Sequence, residues 1–111
     1  MNIRILTTLF LALFCGQVFA ADGKIAISTP ANGAMVSAKN KVTVTYEAML
    51  GAEGDHLHLY VDGKRVDVLR QIRGSTELDA LAPGKHKICI LENTKSHADT
   101  GVEQCVNVTS Q

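Results

Sequence analysis

The chain has 111 residues, 46% of them hydrophobic, with 11 Lys+Arg balanced by 11 Asp+Glu. That length suits a single small domain. The even charge leaves no basic stripe to neutralise phosphates, which argues against a nucleic-acid partner.

The first 20 residues read as a secretory signal peptide. Arg4 supplies the positive start, and residues 5–14 form an apolar run of roughly ten residues, too short to span a bilayer comfortably. Val18-Phe19-Ala20 then predicts cleavage after Ala20. Cys15 follows Phe14, where lipoprotein processing would want a small residue, so simple cleavage is the reading. The expected mature domain is 21–111, without linker, repeat or membrane-spanning stretch, and its expected location is periplasmic or secreted.

Along the mature chain, residues 24–28 alternate Ile25 and Ile27 and stop at Thr29-Pro30, where proline ends ladder pairing. Ala31-Asn32-Gly33-Ala34 carries turn chemistry. Residues 41–47 set Val42, Val44 and Tyr46 on one face and threonines on the other. A loop over 51–55 leads into His56-Leu57-His58-Leu59-Tyr60-Val61, a period-two strand ending at the hairpin signal Asp62-Gly63. A shorter strand is predicted over 65–70 and another over 76–81, before the turn at Pro83-Gly84. The last two, 86–92 and 102–109, flank a polar loop over 93–101. Seven short strands with turn signals every eight to twelve residues predict an all-β, immunoglobulin-like or fibronectin III-like sandwich.

Cys89 and Cys105 are the only cysteines of the mature chain. Each shares the outward face of its strand, Cys89 with Lys87 and Cys105 with Glu103 and Asn107. Export would place them where disulfides persist. A structural disulfide is therefore expected; a redox pair would be expected to show C-x-x-C spacing, which is absent.

His56 and His58 project from one face, the more exposed one on this pattern, with Cα atoms roughly 6.5 to 7 Å apart. Two imidazoles so placed can grip a transition metal, form a protonatable patch, or simply be polar residues facing water. In such a sandwich the third and sixth strands are antiparallel neighbours. The start of the histidine strand then meets the loop over 93–101. This predicts a cluster of His56, His58 and His97, with Glu53, Asp55 or Asp99 as possible oxygen ligands. Imidazole and carboxylate donors suit Cu(II), Zn(II) or Ni(II). His86 should lie about 15 to 20 Å away, five residues along the ladder. It is turned inward with Ile88 and hydrogen-bonds the turn before it. No serine has a nucleophile-elbow context, no glycine-rich phosphate loop occurs, and a Glu92–Asp99 acid pair has no support in the pattern, so no enzyme is expected.

Two resemblances follow from particular segments. Ser28-Thr29-Pro30-Ala31-Asn32-Gly33-Ala34-Met35-Val36 with Val42-Thr43-Val44-Thr45-Tyr46-Glu47 is similar to the opening of bacterial Ig-like domains and of CopC-type periplasmic copper-binding proteins. Those copper proteins use a histidine at the mature N-terminus, and some a methionine-rich site. Here the expected mature start is Ala21-Asp22, and only Met35 and Met49 remain, so that copper site is not carried over. Asp55-His56-Leu57-His58, Val61-Asp62-Gly63 and Leu81-Ala82-Pro83-Gly84-Lys85-His86-Lys87-Ile88, with the stretch 91–97, resemble a family of small exported bacterial proteins without assigned function. That family has an H-x-H strand, an L-x-P-G-x-H turn and a later histidine in the final hairpin. The resemblance implies the fold and supplies no reaction.

The expected function is an exported, non-catalytic binding module holding a transition metal through His56, His58 and His97. Copper is preferred from the compartment and the CopC-like opening. The alternative is a structural or protein-interaction module of the periplasm that uses an exposed face or sheet edge and no metal.

Overall fold

The computed structural model describes residues 22–111; the signal-peptide reading of residues 1–20 lies outside them. Eight strands succeed one another: β1 (Lys24–Thr29), β2 (Ala34–Val36), β3 (Val42–Met49), β4 (His56–Val61), β5 (Lys64–Leu69), β6 (Arg73–Leu78), β7 (Gly84–Asn93) and β8 (Asp99–Ser110). They form a three-stranded sheet in the order β1-β3-β6 and a five-stranded sheet in the order β2-β8-β7-β4-β5. Among the described residues, no helix is long and apolar enough to cross a membrane.

The predicted sandwich is found with one strand more than the sequence pattern suggested. β2 starts at the last residue of the stretch read as a turn, continues through Met35 and Val36, which the pattern assigns to no element, and pairs in parallel with β8, from Ala34↔Val108 to Val36↔Ser110. Three residues are too few to display a period, so pairing with a partner alone defines this strand. A second shift concerns β6, which begins at Arg73 rather than at residue 76 and runs along β3 from Glu47↔Arg73 to Val42↔Leu78. Its sequence is mostly polar and exposed, RGSTEL, and gives no alternation to read.

The core forms where the two inner faces meet. Ile25, Val42, Val44, Tyr46, Ala48 and Leu78 come from the smaller sheet. Leu57, Leu59, Leu69, Ile88, Ile90, Val106 and Val108 come from the larger one. The alternation on β3 and β8 decides which side of each strand is buried, as period two requires. β4 is different: its first four residues are all buried. Leu57 and Leu59 belong to the core, so His56 and His58 must be covered on the opposite face.

Cys89 and Cys105 are directly opposed in the β7–β8 ladder and form the expected disulfide. At the far end of β4, Asp62 and Gly63 both have positive φ (53° and 84°), the conformation of a tight hairpin turn into β5. Asp62 ties that turn to β7. Its Oδ1 accepts the Lys87 amide at 2.8 Å and its Oδ2 faces His86 Nδ1 at 2.6 Å. His86 Nε2 faces the Ala82 carbonyl, also at 2.6 Å, so this histidine serves the turn as expected from the sequence. Both partners of the ring are acceptors, and only the imidazolium donates from both nitrogens. The Asp62 carboxylate, and after it the Ala82 carbonyl, raise the His86 pKa above its ordinary value. In return the His86 hydrogen bond, reinforced by the Lys87 amide, holds Asp62 below the usual carboxylate range.

Two outcomes follow. Replacing both cysteines (Cys89→Ala, Cys105→Ala) should remove about 3 kcal/mol of stability, the chain-entropy value for a loop of this size. Urea denaturation measures this, and a loss well under 1 kcal/mol would contradict it. For the His86–Asp62 pair, the raised His86 pKa contributes stability that is complete below about pH 6.5 and disappears as pH rises through the folded value. The lowered Asp62 pKa contributes stability present above about pH 3.9 and lost as pH falls through its folded value. The pair therefore acts most strongly between those limits. Asp62→Asn tolerates the positive φ and keeps the Lys87 bond. Its melting-temperature deficit should be larger near pH 5.5 than near pH 8.5; an equal deficit at both would show that the pair carries no charge linkage.

Candidate metal centre

β4 delivers two of the three candidate ligands by simple alternation. Because Leu57 and Leu59 are fixed in the core, His56 and His58 stand side by side on the outer face of the larger sheet. The sequence pattern made this the exposed face, and the structure corrects that: both histidines are only 2% exposed. Their cover comes from ladder neighbours and from the β7–β8 hairpin, neither of which is visible in the local pattern. In the β4–β7 ladder His58 faces Leu91 and His56 faces Asn93, while on the other side Val68 of β5 faces His58.

His97 arrives from the β7–β8 turn. Its φ of 71° is in the left-handed region, uncommon for a residue with a side chain. The turn is held by hydrogen bonds from the His97 amide to the Thr94 carbonyl (2.9 Å), from the Thr94 amide to the Ala98 carbonyl (2.8 Å), and from the Ala98 amide to Thr94 Oγ1 (3.1 Å). Asn93 Nδ2 also donates to the His97 carbonyl, at 3.3 Å. Asn93 is itself 2% exposed, and its Oδ1 has no partner. The sequence reading gave Asn93 no role, and an asparagine at the start of a polar loop carries no signal of one.

The three rings converge. His56 Nε2 lies 3.0 Å from His58 Nε2, and His97 Nδ1 lies 3.2 Å from each of them. The ring centroids are farther apart, at 4.8, 4.5 and 5.3 Å, so the rings splay outward from a common centre. For three imidazoles bound to one ion at the usual length of about 2.0–2.1 Å, nitrogens are about 3.3 Å apart in ideal tetrahedral coordination. A square plane instead needs one pair about 4 Å apart. The observed triangle fits the tetrahedral arrangement. Among the described residues these three histidines could hold a metal ion.

Protonation states favour that use. His56 Nδ1 is 2.9 Å from Asp55 Oδ2, so Nδ1 carries a proton, and in the neutral tautomer this leaves the lone pair on Nε2, which faces the centre. Burial pushes the His58 pKa below the ordinary imidazole value; His56 and His97, whenever protonated, and the guanidinium groups of Arg65 and Arg70 add to the effect. The hydrogen bond with His56 holds Asp55 below the usual carboxylate range, with Lys95 and Arg70 contributing. At 3.0 to 3.2 Å a proton on one of these nitrogens can bridge to its neighbour, and a metal ion would take that proton's place.

The proposed oxygen ligands fare differently. Asp55 stands behind His56 as an orienting carboxylate, the arrangement that fixes tautomer and ring direction in metal sites. Glu53 and Asp99 are not among the converging groups. Asp99 Oδ1 instead accepts the Gly101 amide at 2.7 Å. Glu92 is 1% exposed and does not pair with Asp99. Its carboxylate accepts the Gly51 amide at 2.9 Å and the Thr100 hydroxyl at 2.8 Å. A Cβ on Gly54 would fall 2.6 Å from its Cδ, so the loop before β4 closes on this carboxylate only because Gly54 has no side chain. Glu92 thereby positions the loop that carries Asp55. His86, bound to Asp62, belongs to the opposite end of β4.

No family model matches the chain, and no curated protein matches it significantly. Among solved structures it is similar to the fibronectin(III)-like modules of Clostridium thermocellum CbhA, with a TM-score of 0.66, 15% identity, 78% of this chain covered and 96% of that one. It is also similar to a lytic polysaccharide monooxygenase of Jonesia denitrificans, with a TM-score of 0.52, 18% identity, and 76% and 61% of the two chains covered. At these identities the likeness is one of fold, and it places the chain in the fibronectin III-like class of β-sandwiches.

Proposed function

We propose that the protein is an exported, non-catalytic binding module whose cargo or signal is a transition-metal ion held by His56, His58 and His97. The observation that carries this reading is the triangle of ring nitrogens, 3.0 to 3.2 Å on a side, formed by two buried strand histidines and a third from a strained turn. Strain in a turn persists where surrounding structure holds it, and such residues cluster at functional positions. The Cys89–Cys105 disulfide supports an oxidising compartment, as the leader-like first 20 residues do.

The donor spacing ranks the ions. Zn(II) accepts three imidazoles in a tetrahedral shell, whereas Cu(II) prefers tetragonal geometry with a wider trans pair. Zinc therefore comes first on geometry. Copper, first on compartment and on the CopC-like opening, comes second.

Native mass spectrometry of the oxidised domain titrated with Zn(II) and Cu(II) should show one retained ion. His56→Ala with His58→Ala should abolish retention, and His97→Ala, which truncates an exposed side chain, should weaken it without unfolding the domain. Asp55→Asn should cost about 10- to 100-fold in affinity, as loss of an orienting carboxylate does. Unchanged uptake by a folded His97→Ala variant, or no uptake by the wild type, would overturn the proposal.

A further inference from the structure

Resting on the metal reading just given, the geometry points to a second ligand: we propose that the fourth coordination position binds a small oxyanion of the carboxylate or carbonate class, held by a basic rim of Arg65, Arg70 and Lys95. Among the described His, Cys, Asp and Glu side chains no fourth donor converges on the three ring nitrogens, so a tetrahedral ion held by them would take its fourth ligand from elsewhere. His56 and His58 are buried in the sheet whereas His97 is exposed, so solvent approaches the three rings from the side of the β7–β8 turn.

The surroundings on that side are cationic. Arg65 is the ladder partner of Tyr60, on the same outer face as the histidines. Arg70 follows Leu69, the partner of Leu57, and so comes level with His56. Lys95 stands two residues before His97 in the same turn. All three side chains are exposed. Against them stands Asp55, whose Oδ2 is engaged by His56.

A dication held by three neutral imidazoles keeps its whole charge, and the rim adds to it. Water at the vertex would leave that charge uncompensated. An oxyanion neutralises part of it, gives one oxygen to the metal and offers the other to a guanidinium, the group best shaped for planar carboxylate recognition.

Cobalt(II) substitution makes this visible, because four-coordinate Co(II) has intense d–d bands that respond to a change of ligand. Co(II)-loaded protein should show these bands, and titration with acetate, and separately with bicarbonate or azide, should shift them saturably at one anion per metal. Arg65→Gln with Arg70→Gln should weaken anion binding about tenfold while Co(II) affinity is unchanged or tighter, since the lost contacts are charge-assisted hydrogen bonds to the anion rather than metal ligands. Bound Co(II) with a spectrum indifferent to all three anions, or anion affinity equal in the double variant, would overturn the oxyanion site and leave metal binding standing. Failure to bind Co(II) or Zn(II) at all would overturn both readings.

Discussion

The pairing of β4 with β7 is the constraint on which the rest of this molecule depends. In that ladder Leu57 faces Glu92, His58 faces Leu91 and His56 faces Asn93. A shift of one residue would send the histidines into the core and the leucines into the outer face. Burial of Leu57 and Leu59 beside Ile88 and Ile90 makes that slip costly, since each such side chain is worth about 1.5–3 kcal/mol when buried. The hydrophobic core thus fixes the direction of two metal-type donors without contributing any chemistry of its own.

The third donor depends on the hairpin that β7 and β8 make. The disulfide joins these strands at Cys89 and Cys105, below the turn that presents His97. Glu92, one residue before the last ladder pair at that turn (Asn93↔Asp99), accepts the Thr100 hydroxyl from β8 and the Gly51 amide from the loop before β4. Asn93 then holds the His97 carbonyl. A covalent link, a buried carboxylate and an amide therefore restrain one turn residue in a left-handed conformation. At the opposite end of β4, Asp62 performs the matching task for His86 and Lys87, so the strand is anchored on both sides of its histidine pair.

Electrostatically the two ends are unlike. His86 is matched to two acceptors and is stabilised as a cation. His58, buried beside two other imidazoles and near two arginines, is held neutral. One residue type is thus pushed in opposite directions by its surroundings, toward the cation in one place and toward the neutral ring in the other.

Period-two alternation in the sequence was enough for the sandwich class, the inward set Val42, Val44, Tyr46, Leu57, Leu59, Ile88 and Ile90, and the outward phase that let Cys89 meet Cys105. Strand neighbourhood in that class also sufficed to bring His97 toward His56 and His58, and the Pro83-Gly84 turn marked His86 as a structural residue. These are properties of a backbone whose side chains point alternately to two faces, and they can be read one strand at a time. The tertiary structure alone decided that β2 is a strand, since its only evidence is the partner β8, and that β6 starts at Arg73. It also decided that the histidine face is covered, that Asp55 hydrogen-bonds His56 while Glu53 and Asp99 stay out of the histidine cluster, and that Glu92 and Asn93 hold the approach. Burial on an outer face, a left-handed turn residue and the 3 Å convergence of three rings arise from segments about forty residues apart; no local pattern encodes a distance between elements that meet only when the chain is folded.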